Sequence, residues 1–183
     1  MELQEAIRTR RTVHAYTAEP LPDGALEEAL AAAHMAPNHH LTIPWRFTLP
    51  GPETRARLVP IAIAVKDAKR RLGDEAREKL RAKLLNPAAQ IVVSQILHED
   101  PATREEDYAA IACAIQNLML SLSARGVGSK WTTGSVTHHP DTYALLGIDP
   151  GRERIVGWVW AGHPAKVPTI KRPPPDEVIR RLP

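Results

Sequence analysis

The triplet Arg10, Arg11 and Thr12 offers two guanidiniums and a hydroxyl at the end of a short helical pattern, just before an extended arm. Arginine suits phosphate because its planar fork makes paired, charge-assisted hydrogen bonds. A solvated basic helix end carries the same residue types, because the helix dipole favours cations there. Taken alone, the triplet favours the solvated helix end over a phosphate-binding site.

Two histidine pairs, His39-His40 and His138-His139, are the obvious candidates for metal ligands. Adjacent histidines do not share one face of a helix, where ligands spaced three or four residues apart meet. No carboxylate cluster accompanies either pair in the sequence. We therefore expect polar loop residues and no metal site. His39 could equally donate a hydrogen bond to a ligand.

The sequence offers no nucleophile with a matching base. Cys113 lies in an apolar helical stretch without a nearby histidine, which predicts a buried, inert thiol. The stretch 126–129, Gly-Val-Gly-Ser, is preceded by a helix and not by the strand that a dinucleotide loop requires, so it predicts a helix end and a tight turn. An enzyme with this sequence would take its chemistry from a bound cofactor.

Composition narrows the class of protein. The chain has 183 residues, 43% of them apolar and 25% charged, which predicts a single globular domain over 1–183. A net charge of +3, with no aromatic residues among the basic clusters, argues against nucleic-acid binding. No apolar run reaches the roughly 18 residues of a membrane span. Residues 1–6 lack the pattern of a signal peptide, and there is one cysteine, so we expect a cytoplasmic protein.

Helices and strands are mixed without a regular βαβ alternation, which favours an α+β sandwich. Helices are expected over 2–9, 24–35 with Asp23 as N-cap, 53–85 with interruptions near Pro60 and Gly73, 103–125 behind a capping box at Thr103–Glu106, and 139–146. Strands are expected at 45–49, 89–97 and 155–161, with a short segment at 129–134. The last 20 residues contain six prolines and predict an extended tail.

Two apolar patterns concern packing. The helix behind the capping box is apolar nearly all round, which is typical of a helix at the centre of the fold or at a subunit interface. Trp158 and Trp160 lie two apart on a predicted strand and share one face, where we expect them to pack in the core or an interface.

Three ordered segments carry a family resemblance. The first joins Arg10-Arg11-Thr12 to Pro20-Leu21-Pro22. The second joins 36–39, Ala-Pro-Asn-His, to 44–47, Pro-Trp-Arg-Phe. The third joins 116–118, Gln-Asn-Leu, to 126–134. In this order and spacing the chain resembles the FMN-dependent nitroreductase family, and its length and Asn38-His39 loop resemble the small, single-domain YdjA-like subgroup.

The resemblance implies a fold and an activity. The fold is α+β, a three-layer sandwich with a central mixed β-sheet flanked by helices and an extended C-terminal tail. The implied protein is a homodimer with FMN at the subunit interface. It uses NAD(P)H to reduce nitroaromatic or quinone-like acceptors by ping-pong hydride transfer through flavin N5. FMN carries the chemistry, so no catalytic side chain is implied.

The resemblance also implies the residues of the cofactor site. Arg10, Arg11 and Thr12 would contact the FMN phosphate and ribityl chain, and Arg172 matches the family's C-terminal phosphate-binding arginine. The flavin would be contacted from two sides. Met35 and His39 would contact it from the partner subunit. The other side of the flavin site would be lined by Trp131, Thr132 and Thr133. The chain departs from many relatives at His14, where they carry Arg or Lys, and at Ile43, where they carry Gln.

Two other functions stay open. The same fold can serve a flavoprotein with another specific redox substrate, because fold does not fix function. A non-catalytic basic dimer that binds a ligand or nucleic acid is the alternative from a different class. A yellow purified protein would favour the flavoproteins, and a steep salt dependence of DNA or RNA binding would favour the basic dimer.

Overall fold

A four-stranded antiparallel sheet lies at the centre of the computed structural model, which describes residues 2–183, and its strand order is β1-β2-β4-β3. The strands are β1 Trp45–Thr48, β2 Ala89–Ile96, β3 Gly128–Thr132 and β4 Glu153–Gly162. The helices are α1 Leu3–Thr9, α2 Ala25–His34, α3 Pro52–Asp67, α4 Asp74–Leu85, α5 Pro101–Ala124 and α6 Pro140–Leu146. Short 3-10 turns occupy His39–Leu41 and Pro175–Val178.

Helices cover both faces of the sheet because β2 is apolar on both of its faces. Ile91 and Val93 pack in a core with α2 and α5, whereas Val92, between them, packs in a second core with residues of α3 and α6. This opposite pointing follows from the two-residue period of a strand. Trp158 and Trp160 lie together in the second core, as expected. The three-layer α+β sandwich is confirmed.

The sheet is less mixed than the resemblance implies. Its four strands pair only antiparallel, and within residues 2–183 the parallel contact is a single bridge between Thr12 and Ser129. This bridge forms where the extended arm before α2 runs alongside β3. The arm therefore widens the sheet at one point without adding a full strand.

Three local predictions need correction. Pro60 does not interrupt α3. Proline has no N–H to bond the carbonyl of Ala56, but Pro60 and Ala56 both face solvent, so this unpaired carbonyl is tolerated. The N-cap of α5 is Asp100, which accepts a hydrogen bond from the Thr103 backbone N–H at 2.8 Å, so the helix starts before the predicted capping box. The residue before α2 is Gly24 with φ +73°, and no side chain caps this helix.

The chain beyond β4 is extended, as predicted, and most of its residues are exposed. Its beginning is held by a backbone hydrogen bond from Ala165 N–H to Ala15 O and by a bridge between Tyr16 and Pro164. Apolar side chains in the tail face solvent, among them Val178 and Leu182, which are 82% and 81% exposed. None of the helices in residues 2–183 combines the length and apolar character needed to cross a bilayer.

Lys130 is a buried cation on β3. Its Nζ lies 3.9 Å from the centre of the Trp160 ring, and no carboxylate among the described residues pairs with it. Burial, followed by the charge of Lys83, lowers the pKa of Lys130 to about 8.

We expect the free energy of unfolding to rise between pH 8 and pH 10 because of Lys130. In this interval the unfolded chain keeps the lysine protonated while the folded protein releases the proton, so raising the pH favours the folded state. Lys130→Met removes this pH-dependent rise in the free energy of unfolding. The rise is on the order of 2 kcal/mol, because each unit of pKa difference between the folded and unfolded states corresponds to about 1.4 kcal/mol. Urea unfolding of wild type and Lys130→Met at several pH values measures it. An exposed control, Lys69→Met, should leave the pH dependence unchanged, and equal curves for all three proteins would contradict the prediction.

Candidate cofactor site

The arm that carries the arginine triplet is fixed against β3. Val13 N–H donates to Ser129 O at 3.0 Å, and the Tyr16 hydroxyl lies 2.9 Å from Val13 O. The buried Val13 side chain packs so closely on Gly128 that a Cβ there would lie 2.8 Å from Val13 Cγ2. Burial raises the pKa of the Tyr16 hydroxyl above its ordinary value, so this hydroxyl stays a neutral donor. With Val13 pointing into the core, its neighbour Thr12 faces away from that core.

Arginines from both ends of the chain converge beside the arm. Burial first, then the charges of Arg172 and Arg11, lower the pKa of the half-buried Arg10 guanidinium below its ordinary value. Arg11 donates to the carbonyls of Arg8 and Arg10 at 2.6 and 2.9 Å. Within residues 2–183, none of the ion pairs involves Arg10, Arg11 or Arg172. The cluster is therefore an uncompensated positive site, suited to a dianionic phosphate.

An open cavity of about 520 Å³ lies between α5 and the end of β3. Four of its lining residues were expected at the site from the sequence, and three were not. The lining residues are Arg10, Thr12, Tyr108, Gln116, Met119, Trp131 and Thr133. A cationic end, three hydroxyls, an amide and an aromatic wall thus meet in one place, an arrangement typical of ligand sites.

Trp131 forms its wall of the cavity by lying against a glycine. Gly157 lies two residues from Val159, the β4 partner of Trp131, and therefore shares its face of the sheet. A Cβ at Gly157 would overlap the indole Nε1. This buried Nε1 has no hydrogen-bond partner in the described structure. The position of the indole therefore depends on the missing side chain at Gly157.

The remaining predicted site residues lie outside this cavity. Thr132 points to the opposite face of the sheet, where it lines a cavity of about 170 Å³ with Trp158 and Trp160. Thr133 contributes to both cavities. Met35 and His39 follow α2 and are exposed in the single chain, so their contact with a partner's flavin stays a prediction.

Sequence reasoning missed three residues of the cavity, Tyr108, Gln116 and Met119, all on α5. Their spacing of eight and eleven residues places them on one face of a helix. Gln116 gave a signal that could have been used, because Gln116 and Asn117 are the two polar residues that interrupt an apolar stretch over 109–120.

Cys113 is exposed, which corrects the prediction of a buried thiol. Only one side of α5 packs on the sheet within a single chain, with Ile111, Ile115 and Leu118 fully buried. Cys113 lies on the other side. The apolar pattern around α5 thus leaves a face uncovered in the monomer.

The loop after α2 has an unusual backbone. His40, Leu41 and Ile43 adopt φ values of 61°, 53° and 47°, which non-glycine residues rarely adopt. Two side chains stabilise this conformation. Asn38 Oδ1 accepts from Ile43 N–H at 2.7 Å, and the Thr42 hydroxyl donates to the buried Asp107 carboxylate on α5 at 2.5 Å.

Removing the Thr42 hydroxyl should destabilise the protein. In Thr42→Val the buried carboxylate of Asp107 loses this donor, and we expect the free energy of unfolding to fall by about 1–3 kcal/mol. Urea unfolding measures the change. Thr169→Val, in the exposed tail, is the control and should be neutral. Equal stability of the two variants would contradict the role given to Thr42.

Comparison with known proteins agrees with this fold. The sequence profile described as Nitroreductase family matches residues 7–163. Bacillus subtilis "Putative NAD(P)H nitroreductase YfhC" is 29% identical over 175 residues, covering 94% of this chain and 90% of that protein. Escherichia coli K12 "Putative NAD(P)H nitroreductase YdjA" is 29% identical over 170 residues, covering 90% and 89%. The chain belongs to the nitroreductase family, whose members are oxidoreductase enzymes.

Solved structures share the fold along the whole chain. A nitroreductase-like family protein from Bacillus cereus is 31% identical, with a TM-score of 0.84, and the match covers 100% of this chain and 96% of that one. A nitroreductase from Desulfovibrio desulfuricans, solved in complex with FMN, is 24% identical, with a TM-score of 0.78 and coverage of 100% and 98%. The family resemblance predicted from the sequence is confirmed.

Proposed function

We propose that this protein is an FMN-dependent oxidoreductase that uses NAD(P)H to reduce nitroaromatic or quinone-like acceptors. The observation that carries the proposal is the uncompensated cluster of Arg10, Arg11 and Arg172 beside an open cavity, in a chain of the nitroreductase family. Two curated relatives are named as NAD(P)H nitroreductases, and these names support NAD(P)H as the reductant.

The residues present fit FMN. The guanidiniums of Arg10, Arg11 and Arg172 match a dianionic phosphate in charge and in hydrogen-bond geometry. Thr12 offers a hydroxyl for the ribityl chain, and Trp131 and Thr133 offer an aromatic and a polar wall. The Thr132 side chain lies on the other face of the sheet, so in this assignment only its backbone could reach the cofactor.

When bound, FMN supplies hydride transfer through flavin N5, from NAD(P)H and then to the acceptor, in a ping-pong cycle. The protein's part is to bind, orient and shield. The arginine cluster would anchor the phosphate end, and the α5 side chains Tyr108, Gln116 and Met119 would line the cavity beside the cofactor. This division of labour explains why the chain has no nucleophile paired with a base.

We also propose that the active form is a homodimer with FMN at the subunit interface. Large apolar side chains exposed in the single chain support it, including Met35 at 79% and Leu41 at 78%. The exposed face of α5 and the apolar residues of the tail offer further surface for a dimer interface. Sedimentation of the purified protein, monitored at a flavin wavelength, should show the flavin travelling with a dimer. A monomer that retains FMN would overturn this assignment.

Steady-state kinetics tests the activity. Initial rates with NADH or NADPH against a nitroaromatic compound and a quinone should give parallel double-reciprocal lines, because the oxidised nucleotide, NAD(P)+, leaves before the acceptor binds. Intersecting lines would contradict the ping-pong cycle. A protein whose flavin is reduced by NAD(P)H but is reoxidised by neither acceptor would point to another specific redox substrate on the same fold.

A further inference from the structure

Three metal-ligating side chains meet at the loop after α2, away from the cavity described above. His39 and His40 stack with ring centres 3.8 Å apart, and His39 Nδ1 lies 2.8 Å from a carboxylate oxygen of Glu106 on α5. One ligand atom from each of the three residues lies within 4.8 Å of the others. We propose that His39, His40 and Glu106 bind a divalent transition metal ion of the zinc class.

The donor set matches that class of ion. Zinc binds imidazole nitrogen and carboxylate oxygen at about 2.0–2.2 Å, and three protein ligands leave a fourth position for water. Two imidazoles favour zinc, nickel or copper over magnesium and calcium, which prefer all-oxygen sites. Ligand atoms around a tetrahedral ion lie about 3.3 Å apart. The three candidate atoms lie within 4.8 Å of one another, so no pair needs to close by more than about 1.5 Å. They belong to exposed side chains, which can make this adjustment by rotation.

The backbone of the loop explains how adjacent histidines can serve one ion. His40 lies in the left-handed region with φ 61°, and this turn brings its ring over that of His39. The sequence argument against a metal site assumed a regular helix, where neighbouring side chains diverge. The carboxylate comes from α5, far along the chain, which is why no acidic cluster is visible beside the histidines.

The site is held in place by the residue next to its carboxylate ligand. Asp107 accepts the hydrogen bond from Thr42, and this bond attaches the loop to α5 one residue away from Glu106. Asn38 fixes the other part of the loop through Ile43 N–H. Binding an ion therefore requires ordering of three side chains and little ordering of backbone, which lowers the entropic cost.

The proposed metal site and the predicted flavin contact of the partner subunit share one residue, His39. His39 is also predicted to contact the partner's flavin, so it is left unchanged in the test. His40 and Glu106 have no assigned role toward FMN, and neither lines the cavity. Metal binding and flavin content can therefore be measured separately on the same sample.

Isothermal titration of Zn²⁺ into tag-free protein, as purified with its cofactor, tests the site. We expect one ion per chain, and affinity at least tenfold lower in both His40→Asn and Glu106→Gln. Asparagine is chosen because it tolerates the left-handed backbone. His138→Asn, in the other histidine pair, is the matched control and should bind as wild type does.

Equal zinc affinity in wild type, His40→Asn and Glu106→Gln, with circular dichroism showing all three folded, would overturn the proposal. A loss in only one of the two variants would also contradict a three-ligand site. The flavin absorbance of each sample reports separately on the proposed function, so failure of one proposal is distinguishable from failure of the other.

Discussion

Arg10→Ala weakens FMN binding by about 10- to 100-fold in our account. Hydrogen bonds to charged groups contribute about 1.5–3 kcal/mol, and each 1.4 kcal/mol is a tenfold change in affinity. Arg10 is the half-buried member of the guanidinium cluster, so its bonds to a phosphate are less screened by water than those of an exposed arginine. Titration of FMN into the apoprotein, followed by quenching of flavin fluorescence, measures the dissociation constant.

Two variants complete the Arg10 experiment. Arg70→Ala removes an exposed arginine remote from the site and should leave the constant unchanged. Arg10→Lys keeps the charge but loses the planar fork, so we expect an intermediate affinity. Equal dissociation constants for Arg10→Ala and Arg70→Ala would count against the site assignment.

Gly157→Ala is expected to lower both stability and FMN affinity. The new Cβ would overlap Trp131 Nε1 and would lie 3.0 Å from the backbone oxygen of Thr132, so β3 or the indole must move. Overpacking of this kind costs about 1–3 kcal/mol. Because Trp131 lines the cavity, its displacement also changes the proposed flavin site. Urea unfolding and flavin fluorescence measure the two effects.

Gly73→Ala is the matched control for Gly157→Ala. A Cβ at Gly73 meets open space and its backbone is extended, but Gly73 is the N-cap of α4, where alanine is less favourable than glycine. We therefore expect a loss of about 0.5–1 kcal/mol. The double variant Gly157→Ala/Trp131→Phe removes the indole nitrogen and should recover part of the lost stability. The explanation fails if Gly157→Ala unfolds at the same urea concentration as Gly73→Ala.

The helices and strands that bury a long, regular apolar pattern could be predicted from the sequence of this chain. The apolar face of α5 and the strands β2 and β4 were expected within a few residues of their observed bounds, because each buries a regular pattern. Pro60 was misjudged because its effect depends on whether the free carbonyl faces solvent, which sequence alone does not state. The cap of α5 was misplaced because Asp100 competes with Thr103 for the same role.

The candidate site was predictable only through the family resemblance. Arg10 and Arg172 lie at opposite ends of the chain, and no local pattern brings them together. The contact of Trp131 with Gly157 depends on the pairing of β3 with β4, and local sequence does not state this register. Glu106 meets His39 through tertiary packing of α5 on the loop after α2. Physical arguments from spacing fail at such places because the partner residue is not nearby in sequence.

The absorption spectrum of the purified protein, recorded before and after anaerobic addition of NADH or NADPH, tests the central claim most directly. We predict flavin bands that bleach with reductant, and the faster nucleotide identifies the preferred donor. A colourless protein that also fails to take up added FMN would contradict the account and would leave the arginine cluster as a binding site for some other anion.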